Sequence, residues 1–166
     1  MFPIFFTPLH QKEMTHTSHY NISKGTTADI EAIAHFQVEM AMESEGTSLN
    51  LERVTRGVTM AMNDISKGEY IVARYDGLAV GSLMLTREWS DWNCQWYWWI
   101  QSVYVEPQHR QKGVYKAMYE WVKQLASEQN VSQIRLYVDK NNTPAQQAYQ
   151  HLGMSETHYL MYEEEI

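Results

Sequence analysis

The sequence predicts a single α/β domain built on one mixed sheet, and three observations lead to this prediction. The chain has 166 residues, which is close to the usual size of one domain. Apolar residues change from helical spacing to alternation and back along the chain. No repeat, low-complexity tract or long linker interrupts this pattern. We expect the element order β-α-α-β-β-β-α-β-α-β, with residues 1–19 as an N-terminal extension and residues 20–166 as the domain.

The domain begins with a predicted strand and two predicted helices. The strand covers Tyr20–Lys24 and ends at Gly25. Thr27 is the predicted cap of the first helix, whose apolar residues recur every three or four positions. Asn50 is the predicted start of the second helix, and Gly68 can end it.

Three strands are predicted in the middle of the chain, where the spacing changes to alternation. Tyr70–Tyr75 and Leu78–Thr86 flank Asp76-Gly77, and this dipeptide is a strong signal for a two-residue hairpin turn. Trp96–Val105 is rich in aromatic and β-branched residues and is the predicted third strand of the group.

The last part of the chain returns to helix and then alternates again. Gly113–Glu128 carries apolar residues on one helical face. Residues 134–138 alternate as a strand, and Thr143 caps a further helix with Pro144 in its first turn. A final strand is predicted over residues 155–162.

The composition argues against several classes of protein. Lys and Arg number 13 and Asp and Glu number 20, so the formal net charge is −7. This balance disfavours a nucleic-acid partner, because phosphate binding depends on Lys and Arg. The longest apolar stretches are too short to cross a bilayer, so no membrane partner is expected. The single cysteine, Cys94, excludes an internal disulfide and predicts a reducing, cytoplasmic compartment.

The N-terminal extension is a poor secretory signal. Residues 1–9 are apolar, but no positive charge precedes them and two prolines interrupt them. We expect residues 1–13 to be an upstream extension, with Met14 as the natural start. We also expect the tail to pack on its own core or on a neighbouring chain, so a homodimer stays open.

A polar turn between a strand and a helix carries the strongest chemical signal. The third strand leads through Pro107 into a turn that holds Arg110, Lys112 and Gly113, and an amphipathic helix follows. Free amides at a helix start, with the positive end of the helix dipole behind them, bind phosphate or pyrophosphate. Glycine lets a ligand approach the backbone closely. An ordinary solvated turn remains the alternative, and the sequence lacks the GxxxxGK[ST] and GxGxxG patterns.

Two motifs resemble the signatures of the GNAT N-acetyltransferase superfamily. The first is V-x-P-x-x-R-x-x-G-V at residues 105–114. The second is N-x-x-A-x-x-x-Y-x-x-x-G-M at residues 142–154, and one predicted helix and one predicted strand separate the two. The preceding hairpin and paired helices also match, so the resemblance covers roughly residues 20–162. It implies a GNAT-like fold and an acetyltransferase that uses acetyl-CoA, with no metal.

The resemblance also assigns roles to individual residues. Main-chain groups of Val103 and Val105 would pair with the pantetheine arm, and Asn142 and Ala145 would flank it. Tyr149 would protonate the leaving thiolate. The turn and the residues after it would hold the pyrophosphate: Arg110, Gln111, Lys112, Gly113, Val114, Tyr115 and Lys116.

The chain departs from the family pattern at two positions. Tyr115 stands where the family usually has a small residue, so its side chain either crowds the pyrophosphate or points away from it. Some relatives carry a glutamate on the central strand, whereas this strand has Gln101 and no carboxylate nearby. A general base must therefore come from elsewhere, act through water, or be dispensable.

The expected acceptor is a primary amine on a small molecule. Candidate acceptor residues are Glu43 and Glu45 at the end of the first helix, and Trp89 and Trp92 in the loop after the hairpin. Acids beside tryptophans can hold a cation by charge and cation–π attraction. Equally, the two glutamates can be a solvated helix end.

Other functions stay open at this point. One is an acyl-CoA-binding module or sensor without efficient transfer, and another is a protein N-acetyltransferase. Tyr149 also fits an apolar helix face and can be structural. Cys94 has no identifiable activating partner, and the seven histidines are scattered, which argues against a cysteine nucleophile and a zinc site.

Overall fold

The computed structural model describes residues 19–166. The expectations for residues 1–13 and for Met14 lie outside these described residues. In chain order the elements are β1 (Asn21–Lys24), α1 (Ile30–Glu45), α2 (Leu51–Asn63), β2 (Glu69–Tyr75), β3 (Leu78–Ser90), β4 (Gln95–Val105), α3 (Val114–Glu128), β5 (Val131–Arg135) and α4 (Thr143–His151). Short 3₁₀ turns precede α1 and α3, at Thr27–Asp29 and Pro107–His109.

The five strands of the described residues form one sheet in the order β1-β2-β3-β4-β5. β1 to β4 are antiparallel, and β5 is parallel to β4 because α3 connects them as a crossover. α1 and α2 cover one face around Ile33, Val58 and Val72. α3 covers the other face around Trp98 and Met118. These observations confirm the predicted single α/β domain with a mixed sheet.

Local signals in the sequence explain several element boundaries. Asp76 (φ 49°) and Gly77 (φ 82°) adopt the left-handed conformations that a two-residue hairpin turn requires, as predicted. The Asn50 side chain accepts a 2.8 Å hydrogen bond from an amide in the first turn of α2, which it begins. Thr26, one residue before the predicted Thr27, forms the capping box ahead of α1. No helix among residues 19–166 is long and apolar enough to span a membrane.

The final predicted strand is not formed. Residues 155–162 contain no helix or strand, and Tyr159 and Leu160 each expose 71% of their surface. A strand needs a neighbouring edge and a face to bury, so an alternating sequence alone does not produce one. This part of the predicted element order is wrong.

Two other boundaries differ from the prediction. β5 spans Val131–Arg135 rather than residues 134–138, because these residues are the ones that align with the first half of β4. α2 ends at Asn63 rather than near Gly68, since Asp64 adopts an extended conformation.

Candidate functional site

A cleft opens where β4 and β5 separate. The two strands pair only from Trp96 to Trp99 on β4 and from Val131 to Arg135 on β5. β4 then continues to Val105, and in the described part of the chain its β5-facing edge has no strand partner over residues 100–105. Main-chain groups along this edge are therefore available to a ligand, because backbone N–H and C=O groups need hydrogen-bond partners. Val103 and Val105, the predicted pantetheine contacts, lie on this part of β4.

A β-bulge lies at the start of the unpaired edge. Ser102 has a φ of 52°, a left-handed conformation that is uncommon for serine. Across the sheet, Tyr104 pairs with Ser82 and Gln101 pairs with Met84, so β4 has one extra residue here. Bulges bend a strand and re-aim its side chains, and they are frequent beside functional sites. The bulge thus separates the paired half of β4 from its cleft half.

The turn after β4 offers a cradle of backbone amides. Gln111 (φ 60°) and Gly113 (φ 82°) are both left-handed, and such turns form concave binding sites for anions. Gly113 is the N-cap of α3 and supplies no side-chain cap, so the first amides of this helix remain available. A Cβ built at Gly113 meets nothing within 4 Å, so there is open space next to the backbone. Lys112 is exposed on this turn, as is Lys116 in the first turn of α3.

The Arg110 side chain points away from this cradle. Its Nε donates to the Val105 carbonyl at 2.8 Å, and its terminal nitrogen donates to both carboxylate oxygens of Glu43 at 2.7 and 3.0 Å. The guanidinium also lies over the Tyr104 ring, 5.5 Å from its centroid. The structure thereby brings the end of α1 to the turn, a contact that the sequence does not predict.

Tyr115 and Tyr149 join the start of α3 to α4. The Tyr115 ring lies 5.6 Å from that of Tyr149 in an edge-on arrangement and 6.2 Å from that of Tyr119 in a stacked one. Burial raises the pKa of the Tyr115 and Tyr149 phenols, so both stay protonated at neutral pH. The Tyr115 hydroxyl is buried and has no hydrogen-bond partner among the described residues. The sequence left open whether the Tyr115 side chain crowds the turn or points away from it. In the structure the ring points away from the turn, toward α4.

The start of α4 holds the other two predicted cofactor residues. The Asn142 side chain accepts a hydrogen bond from the Ala145 amide at 3.2 Å and caps the helix. In this structure the two residues therefore stabilise the start of α4, Asn142 as the N-cap and Ala145 as the residue whose amide it caps. They lie on the element that also carries Tyr149.

Sequence reasoning missed a polar network on the face of the sheet opposite α3. Gln101 donates to the Thr86 hydroxyl at 2.5 Å and accepts from the Tyr137 hydroxyl at 3.4 Å. Beside it, the Trp99 indole donates to Glu88 at 2.6 Å. Which side chains of two strands share a face depends on the register between the strands. That these residues lie on one face therefore becomes evident only from the β3–β4 pairing.

The four predicted acceptor residues are not brought together. Glu43 is paired with Arg110, while Glu45 is exposed at the end of α1. Trp89 pairs across the β3–β4 hairpin with Trp96, which precedes Val103 on β4 by roughly 20 Å of strand. Trp92 lies at the hairpin tip and is 92% exposed. The tryptophans therefore belong to a different part of the surface from Glu43.

Comparison with known proteins decides the family. The model of the acetyltransferase (GNAT) family matches residues 37–154, which include the cleft, the turn and α4. The chain belongs to the GNAT acetyltransferase family. This GNAT protein is an acyltransferase, and acetyl-CoA is the acyl donor of its family.

Solved structures with the same fold extend the comparison. A possible acetyltransferase from Clostridium difficile 630 is 36% identical, with a TM-score of 0.83, over 89% of this chain and 97% of that one. A predicted acetyltransferase from Clostridium acetobutylicum, solved with acetyl-CoA, is 18% identical, with a TM-score of 0.69, over 87% and 96% of the two chains. A ribosomal-protein-alanine N-acetyltransferase from Brucella melitensis biovar Abortus 2308 is 19% identical, with a TM-score of 0.73, over 89% and 99%. No curated protein matches the chain.

The described residues 19–166 contain no group of three or more His, Cys, Asp or Glu side chains that could hold a metal ion. Cys94 is exposed at the β3–β4 hairpin.

Proposed function

We propose that this GNAT protein transfers an acetyl group from acetyl-CoA to a primary amine of a small molecule, with Tyr149 as general acid. The observation that carries the proposal is the unpaired edge of β4, which leads through a short 3₁₀ turn into the amide cradle at residues 111–115. A long ligand with an amide-rich arm and a pyrophosphate matches this sequence of binding groups. Acetyl-CoA is such a ligand.

The cofactor would lie along the cleft in one direction. Its pyrophosphate would bind the amides of Gln111 to Tyr115, with Lys112 and Lys116 adding positive charge. Its pantetheine arm would follow the free edge at Val103 and Val105 and pass the start of α4 at Asn142 and Ala145. The thioester would then lie beside residues 100–103, where a main-chain N–H can stabilise the developing oxyanion.

Transfer would proceed by direct attack. The amine nitrogen forms a C–N bond to the thioester carbonyl carbon, and the tetrahedral intermediate then breaks its C–S bond. An amine with a pKa of about 10.4 leaves roughly one molecule in 10³ neutral at pH 7, so the attacking amine must first lose a proton. Because Gln101 is not a carboxylate, we propose that this proton passes to solvent water, as does the second proton that the nitrogen loses once the C–N bond has formed.

Tyr149 would supply the proton that the leaving thiolate takes up. Its phenol lies beside the first turn of α3, where the Tyr115 ring holds it from one side. Burial raises its pKa, so the phenol carries its proton across the neutral and mildly alkaline range. The phenolate then regains a proton from solvent, which closes the cycle without a covalent enzyme intermediate.

A screen of acceptors tests the proposal. Acetyl-CoA is incubated with a panel of small primary amines, matched neutral alcohols and peptides with free amino termini, and free thiol is followed over time. We expect turnover with small amines and none with the alcohols. Turnover with the peptides alone would assign the protein to the protein N-acetyltransferases. Binding of acetyl-CoA with no turnover of any acceptor would assign it to the sensors.

A further inference from the structure

The side chain of Arg110 occupies two groups that the proposed reaction needs. The Val105 carbonyl lies on the unpaired edge of β4, and Arg110 Nε donates to it at 2.8 Å. Glu43 is one of the predicted acceptor residues, and the guanidinium holds both of its carboxylate oxygens. Arg110 directly precedes the amide cradle, and its own amide donates to the Pro107 carbonyl. One side chain thus connects the cofactor cleft to the end of α1.

This contact is suited to exchange. The side chains of Arg110 and Glu43 are 42% and 41% exposed, and ion pairs at this exposure contribute little to stability. A pyrophosphate bound at the cradle carries more charge than one carboxylate and can accept bidentate hydrogen bonds from a guanidinium. Since Arg110 directly precedes the cradle, the pyrophosphate and Glu43 compete for the same guanidinium.

Loss of Arg110 would leave Glu43 in a negative environment. Glu43 lies in the last turn of α1, where the helix dipole disfavours negative charge. Burial raises the pKa of the nearby Tyr104 phenol, and the charges of Glu43, Glu39 and Glu106 raise it further, while Arg110 alone opposes them. Arg110 is therefore the cation that balances this group of acids around Tyr104.

We propose that the Arg110 side chain exchanges partners when the cofactor binds. It releases Glu43 and the Val105 carbonyl and binds the pyrophosphate instead, so Glu43 becomes available to a cationic acceptor. The inference rests on the proposed function, because it takes acetyl-CoA as the cleft ligand. Its consequence is a coupling between the two sites: the cofactor prepares the acceptor side, and an acceptor bound at Glu43 strengthens cofactor binding in return.

A double-mutant cycle on CoA binding tests the exchange. The Kd of CoA is measured by calorimetry for the wild type, Glu43→Gln, Arg110→Gln and the double variant. Glu39→Gln is the matched control, since it removes the same charge one turn earlier on α1 and leaves the Arg110 ion pair intact. Circular dichroism and melting temperature establish that each variant is folded, and Arg110→Met, which also removes the charge, replaces Arg110→Gln if the latter does not fold.

We expect Glu43→Gln to bind CoA three- to tenfold more tightly than the wild type, because Arg110 no longer has to leave a carboxylate. Glu39→Gln should change the Kd by less than twofold, and Glu43→Gln should have no effect in the Arg110→Gln background. An equal gain in both backgrounds, an equal gain in Glu39→Gln, or no gain at all would overturn the exchange. Failure of the wild type to bind CoA would instead overturn the proposed function.

Discussion

The Tyr149 ring meets the Tyr115 ring edge-on, with their centroids 5.6 Å apart. This contact joins the last turn of α4 to the first turn of α3, the helix whose first amides belong to the proposed anion cradle. Edge-on aromatic pairs are favourable and directional, so the pair fixes the position of the Tyr149 phenol relative to the cradle. The residue that departs from the family pattern, Tyr115, therefore has a positive use in this chain.

Replacement of Tyr149 by phenylalanine tests the proposed general acid. Tyr149→Phe keeps the ring and its contact with Tyr115 while it removes the only proton donor of the side chain. We expect kcat to fall about ten- to a thousandfold, the usual contribution of acid–base groups, with little change in the Kd of acetyl-CoA. The measurement is steady-state kinetics with the best amine of the panel, beside calorimetry with acetyl-CoA.

A better leaving group provides the control for that variant. A thioester of a more acidic thiol needs less proton donation, so the loss caused by Tyr149→Phe should shrink with it. Wild-type kcat in the variant, at saturating substrate and with fast product release, would return Tyr149 to a purely structural role.

Tyr115 offers a test of stability. Its buried hydroxyl has no partner in the described structure, and an unsatisfied buried group costs free energy. We expect Tyr115→Phe to raise the free energy of unfolding by about 1 kcal/mol in urea denaturation. The control is Tyr119→Phe, because the Tyr119 hydroxyl is not among the buried groups without a partner. A gain in stability of equal size in Tyr119→Phe would contradict this explanation.

The same tyrosine predicts an alkaline dependence of stability. Burial raises the pKa of Tyr115 in the folded chain, so the unfolded chain ionises first as the pH rises. The contribution of the protonated Tyr115 phenol to the free energy of unfolding is therefore complete below about pH 10, the ordinary pKa of tyrosine. It is lost as the pH rises above that value. Urea midpoints measured between pH 8 and pH 11 should fall less steeply for Tyr115→Phe than for the wild type.

The amide cradle is tested at Gly113. A glutamate side chain there would enter the open space beside the backbone and repel a pyrophosphate, so Gly113→Glu should weaken acetyl-CoA binding at least tenfold. Because φ is 82°, any side chain at this position also strains the backbone, and Gly113→Ala measures that effect alone. If calorimetry gives the same Kd for a folded Gly113→Glu and the wild type, the pyrophosphate binds elsewhere.

The missing carboxylate at Gln101 predicts how the rate depends on pH. If solvent takes the amine proton, kcat/KM should rise tenfold per pH unit until the pKa of the amine itself. Two acceptors whose pKa values differ by about two units should then give profiles displaced by the same amount. If both amines instead give an inflection in the pH–rate profile at the same pH, a group of the protein acts as the base. Gln101→Glu should introduce such an inflection.

Much of this fold could be predicted because its signals are local. The Asp76-Gly77 turn and the Asn50 cap depend on a few neighbouring residues, and they form where the sequence places them. The turn at Gly113 is also local, since this residue and the helix after it are contiguous in sequence.

Features that depend on distant residues could not be predicted. The pairing of Arg110 with Glu43 links residues 67 positions apart and requires the packing of α1 to be known. The Gln101 network needs the register of β3 with β4 and the path of the chain after β5, and the absence of a strand over residues 155–162 depends on which edges other strands leave free. Tertiary context decides such contacts, whereas sequence spacing does not record it.

The extra residue at Ser102 reverses which alternate residues of β4 face the core under α3. Before it, even-numbered residues such as Trp98 and Ile100 face the core under α3; after it, odd-numbered Val103 and Val105 do so, and Tyr104 stacks on Phe36 of α1 instead. Deleting Ser102 would therefore exchange the residues on the two faces of β4 beyond this point, turning the Tyr104 phenol into the apolar core and the two valines toward the acids at α1. One residue thus decides which side chains the second half of β4 presents on each face of the sheet.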